Sequence, residues 1–386
     1  MTVELRLPQP DRSFAAYRLR SRPRYPERSN PARSRVAFAA AHAVADPLAD
    51  TSPGRPAAID WEATLAFRRH LWDLGLGVAE AMDTAQRGMG LDAAACRELI
   101  RRSAAEARTC GGRLACGAQT DHVPAGSCRS LDDVVGAYLE QCRLVEDEGA
   151  QVVLMASHEL CRLARSPEEY QQVYGAVLGE LRQPAIVHWL GEVFDPALRG
   201  YWGRVDLDQA AEACLEVISS NRDRVDGVKV SLLDQRRELA MRRRLPAGVR
   251  LYTGDDFDYP EAIAGDGDRH SDALLGAFDM IAPAAAAALS ALDCGDEAGF
   301  RGLLEPTLPL ARHVFGAPTP YYKVGVVFLA YLNGHQTHFK MLGGLESARS
   351  IVHLARTLVL ADQSDLLTDP ELAAHRMRPL LALAGC

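Results

Sequence analysis

Short apolar runs alternate with longer amphipathic stretches along most of this chain. From residue 35 the runs are Arg35–Ala40, Leu76–Ala81, Arg113–Gly117, Gln151–Met155, Ala185–Trp189, Gly227–Val230, Val249–Thr253 and Ala277–Ile281. Each is short and rich in β-branched or small residues, the pattern of a strand buried on both faces. Between them, stretches such as Trp61–Trp72, Ala93–Arg108, Asp132–Glu148, Pro167–Leu181 and Leu207–Ser219 predict helices. Two of these have clear start signals. Ser130 precedes Leu-Asp-Asp, and Ser166 precedes Pro167 and two glutamates, matching the preference for a hydroxyl cap, an early proline and acids in the first turn.

Strands alternating with helices predict parallel βα units, closed into a barrel or wound into an open sheet. No glycine-rich phosphate loop follows the first run, as an open dinucleotide-binding sheet would show. The expected fold is therefore α/β, a single (β/α)8 TIM barrel. After residue 290 the rhythm stops. Asp296–Val314, Lys323–Leu332 and Leu345–Leu360 read as helices punctuated by Pro306, Pro309, Pro318 and Pro320, and the alanine run at 284–288 favours helix. The expected organisation is an N-terminal arm over residues 1–34, a barrel over 35–290 and a helical extension of the same domain over 291–386.

Composition changes this picture little. The chain has 386 residues, 48% of them hydrophobic, and a net charge of −8. An acidic balance argues against a nucleic-acid partner. The first 35 residues differ, with nine arginines against three acids. Because proline, tyrosine and leucine interrupt the arginines, an irregular or hairpin arm is expected, packed on the body or on a neighbouring subunit. A polyanion-binding tail is the alternative. The nine cysteines are irregularly spaced and contain no CxxC pair, so free thiols in a reducing cytoplasm are expected. No apolar leader follows Met1 and no run is long enough to span a bilayer, so no membrane partner is expected.

Chemistry in a barrel gathers at the C-terminal ends of the strands. Lys229 stands inside the sixth run between Val228 and Val230, and alternation turns it away from both valines. If the valines face the helices, the ammonium faces the barrel interior, where burial lowers its pKa and favours the nucleophilic amine. A structural lysine paired with a carboxylate is the plainer alternative. The seventh run leads into Asp255 and Asp256, which suit hydroxyl recognition, a cation or a helix cap. The second leads into Asp83 and Thr84, with Gln86 and Arg87 close behind. The third leads into Asp121 and His122, the fourth into His158, and the fifth carries His188. Histidines at successive strand ends raise a metal reading, but none of these histidines falls in an HxxH or HExxH spacing to sharpen it, and no metal or other cofactor is expected. His335 and His338 are assigned no role.

With these residues laid out, the chain resembles a divergent, uncharacterised branch of the dihydrodipicolinate synthase and N-acetylneuraminate lyase superfamily. The likeness lies in Ala58-Ile-Asp-Trp-Glu-Ala-Thr, Leu76-Gly-Val-Ala-Glu-Ala-Met-Asp-Thr, Gly227-Val-Lys-Val-Ser and Thr253-Gly-Asp-Asp, across about residues 35–335. The resemblance implies a class I aldolase-type lyase in which Lys229 forms a Schiff base with a keto acid or keto sugar derivative. It also implies a homo-oligomer, dimer or tetramer. The departures are specific. Met82-Asp83-Thr84 replaces the family's tandem threonines, leaving Thr84. His188 replaces its strand-five tyrosine and is the expected proton shuttle. The arginine after strand five is missing, with Arg199 at the wrong spacing. Asp83, Thr84, Asp121, His122, His158, Asp255 and Asp256 are the expected substrate-binding residues; Asp83, Asp121 and His122, with Gln86, point to a polyhydroxylated, sugar-like small molecule. The alternatives are a metal-dependent sugar isomerase or epimerase using His158, His188 and the carboxylates, and a non-catalytic barrel that binds a sugar-like ligand.

Overall fold

A computed structural model describes residues 3–20, 22, 25–267 and 269–386. Within the arginine-rich arm, residues 1–2, 21 and 23–24 lie outside the described residues. The chain begins with an antiparallel hairpin, β1 (Glu4–Pro8) and β2 (Phe14–Arg18). Eight parallel strands follow: β3 (Ala37–Ala40), β4 (Gly77–Glu80), β5 (Leu114–Ala118), β6 (Gln151–Leu154), β7 (Ala185–Leu190), β8 (Val225–Ser231), β9 (Arg250–Thr253) and β10 (Asp272–Leu275). They close in sequence order, with β10 pairing both β9 and β3. This is a (β/α)8 barrel.

Strand alternation divides the core into two layers. Facing inward, Phe38, Ala40, Ala79, Ala115, Val153, Ile186, Tyr252 and Leu274 fill the barrel. Facing outward, Val152, Leu154, Val187, Trp189, Val228 and Val230 pack against the helices. The interior matches large residues with absent ones. A Cβ on Gly77 would stand 2.5 Å from the Phe38 ring, and one on Gly227 would stand 2.7 Å from the Tyr252 ring. Neither contact is possible between real atoms, so glycine at these positions lets the two rings occupy the barrel.

The helix starts follow their local chemistry. Asp60 accepts from Ala63 N–H, Asp92 from Ala95 N–H, and Ser130 forms a reciprocal capping box with Asp133. Ser166 makes no side-chain cap; Pro167 and the first-turn acids Glu168 and Glu169 mark that start.

The eighth strand is a correction. Ala277–Ile281 is not a strand: Ala277–Met280 is a short helix, and the strand is Asp272–Leu275. Two apolar runs lie side by side here, and their period does not separate them. Pairing does. Ala273, Leu274 and Leu275 align with Ala37, Phe38 and Ala39, and the Asp272 carboxylate accepts from Val36 N–H at 2.6 Å.

The C-terminal segment is helical, with boundaries set by its prolines. The stretch read as one helix over Asp296–Val314 divides into Glu297–Leu304, a 3-10 turn at Glu305–Thr307 around Pro306, and Leu308–Val314. The stretch from Leu345 begins in a 3-10 turn, and its helix starts only at Ile351, capped by Ser350. Pro370–Leu383 adds a further helix. The N-terminal hairpin packs on this segment. Leu5 and Leu7 are buried, Tyr17 Oη donates to Asp362 at 2.7 Å, and Arg20 N–H donates to the same carboxylate. All eleven residues of the helix Tyr322–Leu332 are buried.

Candidate active site

The loops after the barrel strands meet the first turn of the helix Tyr322–Leu332 at the C-terminal mouth. Lys229 occupies the fifth position of β8. Val228 and Val230 sit in the strand–helix layer with Ile218 and Met241, so the lysine projects to the opposite face, into the barrel. It is 7% exposed and makes no hydrogen bond or ion pair with any described residue. Burial lowers its pKa; the charges of Asp83 and Asp256 oppose the shift without cancelling it.

Lys229 shares one small cavity with Asp83, Thr84, Ser231, Asp256 and Tyr322, walled in part by Phe194 and Gly276. Its volume of about 10 Å³ is room for a single water. Phe194, in the loop after β7, meets the Tyr322 ring edge-on, with centroids 6.2 Å apart.

Each acid of the cavity has its own environment. Asp256 accepts from Ala277 N–H at 2.8 Å. Burial raises its pKa to about 7, against the pull of that hydrogen bond and of Lys229. Asp255 points away from the cavity and accepts from Phe257 N–H. Burial raises it to about 6. Behind it, Glu238 is 1% exposed and pushed well above the usual carboxylate range, by burial first and by Asp255 second. Asp83 is half-buried, on the turn after β4.

The remaining expected residues are distributed differently. His188 neighbours Lys229 across the β7–β8 pairing and points into the barrel below the cavity wall. Its Nε2 lies 3.1 Å from Ser231 Oγ, so it reaches the cavity through that hydroxyl. Burial, reinforced by Lys229, pushes its pKa well down, leaving a neutral imidazole. Asp121 is held in a two-pronged ion pair by Arg87, at 2.7 and 2.8 Å. Arg87 also donates to the carbonyl of Gly117, fastening the β4 turn to the end of β5. His122 turns toward Glu140 on the helix Leu131–Asp147 and does not reach the cavity. His158 pairs with Asp195 at 2.6 Å, and that hydrogen bond raises its pKa. The expected histidines therefore do not converge. Among the described residues, no group of three or more His, Cys, Asp or Glu side chains is placed to hold a metal ion.

Two residues of the site escaped sequence reasoning. Tyr322 Oη lies 2.8 Å from Thr84 Oγ1, and its ring stacks on Phe315. Lys323, the next residue, is 4% exposed. Both lie on a helix that is apolar almost throughout, which offers no period from which to pick an active-site face. The signal the sequence does hold is the scarcity of lysine, since Lys323 is one of only three in the chain.

This geometry defines a (β/α)8 barrel with an unpaired lysine at the mouth, and comparisons with solved structures place it among the dihydrodipicolinate synthase folds. A provisionally assigned dihydrodipicolinate synthetase from Pseudomonas aeruginosa superposes with a TM-score of 0.65 at 15% identity, covering 86% of this chain and 99% of the other. The dihydrodipicolinate synthase from Aquifex aeolicus gives 0.63 at 12% identity, covering 86% and 99%. That from Acinetobacter baumannii, solved with pyruvate, gives 0.61 at 15% identity, covering 86% and 99%. The chain belongs to the family described as "Protein of unknown function (DUF993)", which matches residues 5–386. A comparison with curated proteins finds no match. Among the described residues, no helix is long and apolar enough to cross a membrane.

Proposed function

We propose that this protein is a class I aldolase-type lyase in which Lys229 forms a Schiff base with a keto acid or keto sugar derivative. The observation that carries the reading is a buried lysine amine with no ion-pair partner among the described residues, facing a cavity that Asp83, Thr84, Asp256 and Tyr322 also line. A structural lysine would have a carboxylate against it, because an uncompensated buried charge is costly. Burial instead favours the free amine, which is the nucleophile.

The reaction follows from the groups present. The Lys229 lone pair adds to the substrate carbonyl carbon, the carbonyl oxygen takes up protons and leaves as water, and an iminium remains. The iminium then accepts the electron pair of the C–C bond one carbon away as that bond breaks. The departing fragment becomes a carbonyl compound as its hydroxyl gives up a proton. The enamine left on Lys229 is reprotonated at carbon, and water hydrolyses the imine to release the second product and the free amine. Asp256, with a pKa of about 7, can hold or release a proton near neutral pH. The Thr84–Tyr322 hydroxyl pair and the Ser231–His188 pair are further proton routes. The cavity is smaller than any keto substrate, so Phe194 and Tyr322 must move apart to admit one. A homo-oligomer, a cytoplasmic location and a division into an N-terminal arm over residues 1–34, a barrel over 35–290 and a helical extension of the same domain over 291–386 belong to the same proposal.

The test is reductive trapping. Borohydride with a panel of keto acids and keto sugars should add mass to the wild type and none to Lys229→Ala. No adduct with any compound, from folded wild type, would overturn the imine.

A further inference from the structure

Only three of the 43 basic residues are lysines: Lys229, Lys323 and Lys340. Lys340 is on the surface, paired with Glu346. The other two are buried at the barrel mouth. Arginine serves almost everywhere else, and each buried arginine has a carboxylate: Arg68 has Glu80, Arg87 has Asp121 and Arg242 has Asp266. Lys323 has none within ion-pair distance. Its Nζ donates to Pro320 O at 3.0 Å and meets the weak acceptor Met89 Sδ at 3.3 Å, which leaves donor capacity unused.

Lys323 also stands in the first turn of the helix Tyr322–Leu332, where the macrodipole disfavours a cation. Burial, the missing counter-ion and the helix end all oppose an ammonium here, so packing does not explain it. Position does. Nζ lies 4.8 Å from the centroid of the Tyr322 ring, a wall of the Lys229 cavity. Asp83, another wall, acts electrostatically on both lysines, and Asp195 acts on Lys323 from the loop after β7.

We infer that Lys323 is the anion-recognition residue of the site: it takes a carboxylate of the substrate whose keto carbon meets Lys229. The substrate class is then a hydroxylated oxo acid, not a neutral keto sugar, with the cavity wall Asp83 available to accept from a hydroxyl. This rests on the proposed imine function for the keto end, but anion recognition by itself does not need the imine.

The test uses matched pairs that differ only in the acid: pyruvate against hydroxyacetone, and 2-ketogluconate against fructose. Calorimetry on full-length Lys229→Ala, which forms no imine, measures binding alone. The acid of at least one pair should bind ~10-fold or more tightly than its neutral partner, about the worth of one charge-assisted contact. In Lys229→Ala/Lys323→Met that preference should fall to near unity. Equal binding within both pairs, no binding by either acid, or a preference that survives Lys323→Met overturns the inference. The first two need no Lys323 variant. If trapping on wild type gives no adduct while the acid preference holds, the imine fails and the anion site stands. Adducts without acid preference give the reverse.

Discussion

Tyr322 Oη and Thr84 Oγ1 are hydrogen-bonded at 2.8 Å although 238 residues separate them. One hydroxyl comes from the turn after the second barrel strand and the other from a helix beyond the barrel. The pair ties the C-terminal segment to the mouth and puts a buried phenol beside Lys229. Burial pushes that phenol's pKa well up, so it stays protonated and can serve as an acid. Tyr322→Phe keeps the ring and its stacking on Phe315. Its stability should change by only about 1 kcal/mol, the net worth of one hydrogen bond. Its rate of reductive trapping should fall roughly 10²-fold, the low end of general acid–base contributions. Intact-mass time courses beside a thermal melt check both; a large loss of stability with an unchanged rate would make the hydroxyl structural.

What the sequence revealed of this site depends on distance along the chain. Lys229 was legible because its two valine neighbours sit on one strand, and alternation alone orients it. Asp256 was legible from its place after a strand, as was Thr84. Tyr322 and Lys323 were not, since only tertiary packing brings their helix to the mouth. Asp121 and His122 show the opposite failure: a strand-end position put them on the candidate roster, but Arg87 and Glu140 hold their side chains elsewhere. The misplaced eighth strand has the same origin, because register with β3 lies outside any local window.

Arg68 and Glu80 form a fully buried pair beside the mouth, at 2.9 and 3.0 Å. Arg68 also donates to the carbonyls of His42 and Thr64, and Glu80 accepts from Ser103 Oγ. Removing one partner strands a charge in the core. Arg68→Met should therefore lose ~3–5 kcal/mol in urea unfolding. Adding Glu80→Gln should recover part of that loss, as the stranded carboxylate is neutralised. A full loss in the double variant would locate the effect in the carbonyl contacts instead.

Asp255 and Asp256 have folded pKa values raised to about 6 and about 7 from 3.8. Between pH 4 and 7 the native state therefore binds more protons than the unfolded chain, and stability falls as pH rises through this window. Asp256→Asn keeps an acceptor for Ala277 N–H but has no charge to desolvate. Its melting temperature should vary less over the window than that of wild type, and it should be the more stable protein at pH 7. Parallel slopes in the two proteins would mean that Asp256 is not the group held protonated.

Lys229 gives the opposite pH signature. Its folded pKa lies below the unfolded value of about 10.5, because burial disfavours the charged form. From the folded pKa up to 10.5 the unfolded chain binds more protons, so this residue's contribution to stability rises with pH. At neutral pH burying this amine, which is charged in the unfolded chain, is a net burden that a structural residue would not impose. Lys229→Met, similar in length and uncharged, should abolish trapping yet melt at a higher temperature than wild type at pH 7, with a gain in stability of up to about 1.4 kcal/mol for each pKa unit of the shift. The gain should shrink as pH is raised from 7 to 10, approaching the unfolded value of about 10.5 at which the unfolded chain also begins to lose this proton. Melting curves across that range decide the point. A variant less stable than wild type at every pH would show that Asp83 and Asp256 stabilise the ammonium more than burial opposes it, and Lys229 would then be a structural cation rather than a nucleophile held ready at the expense of the fold.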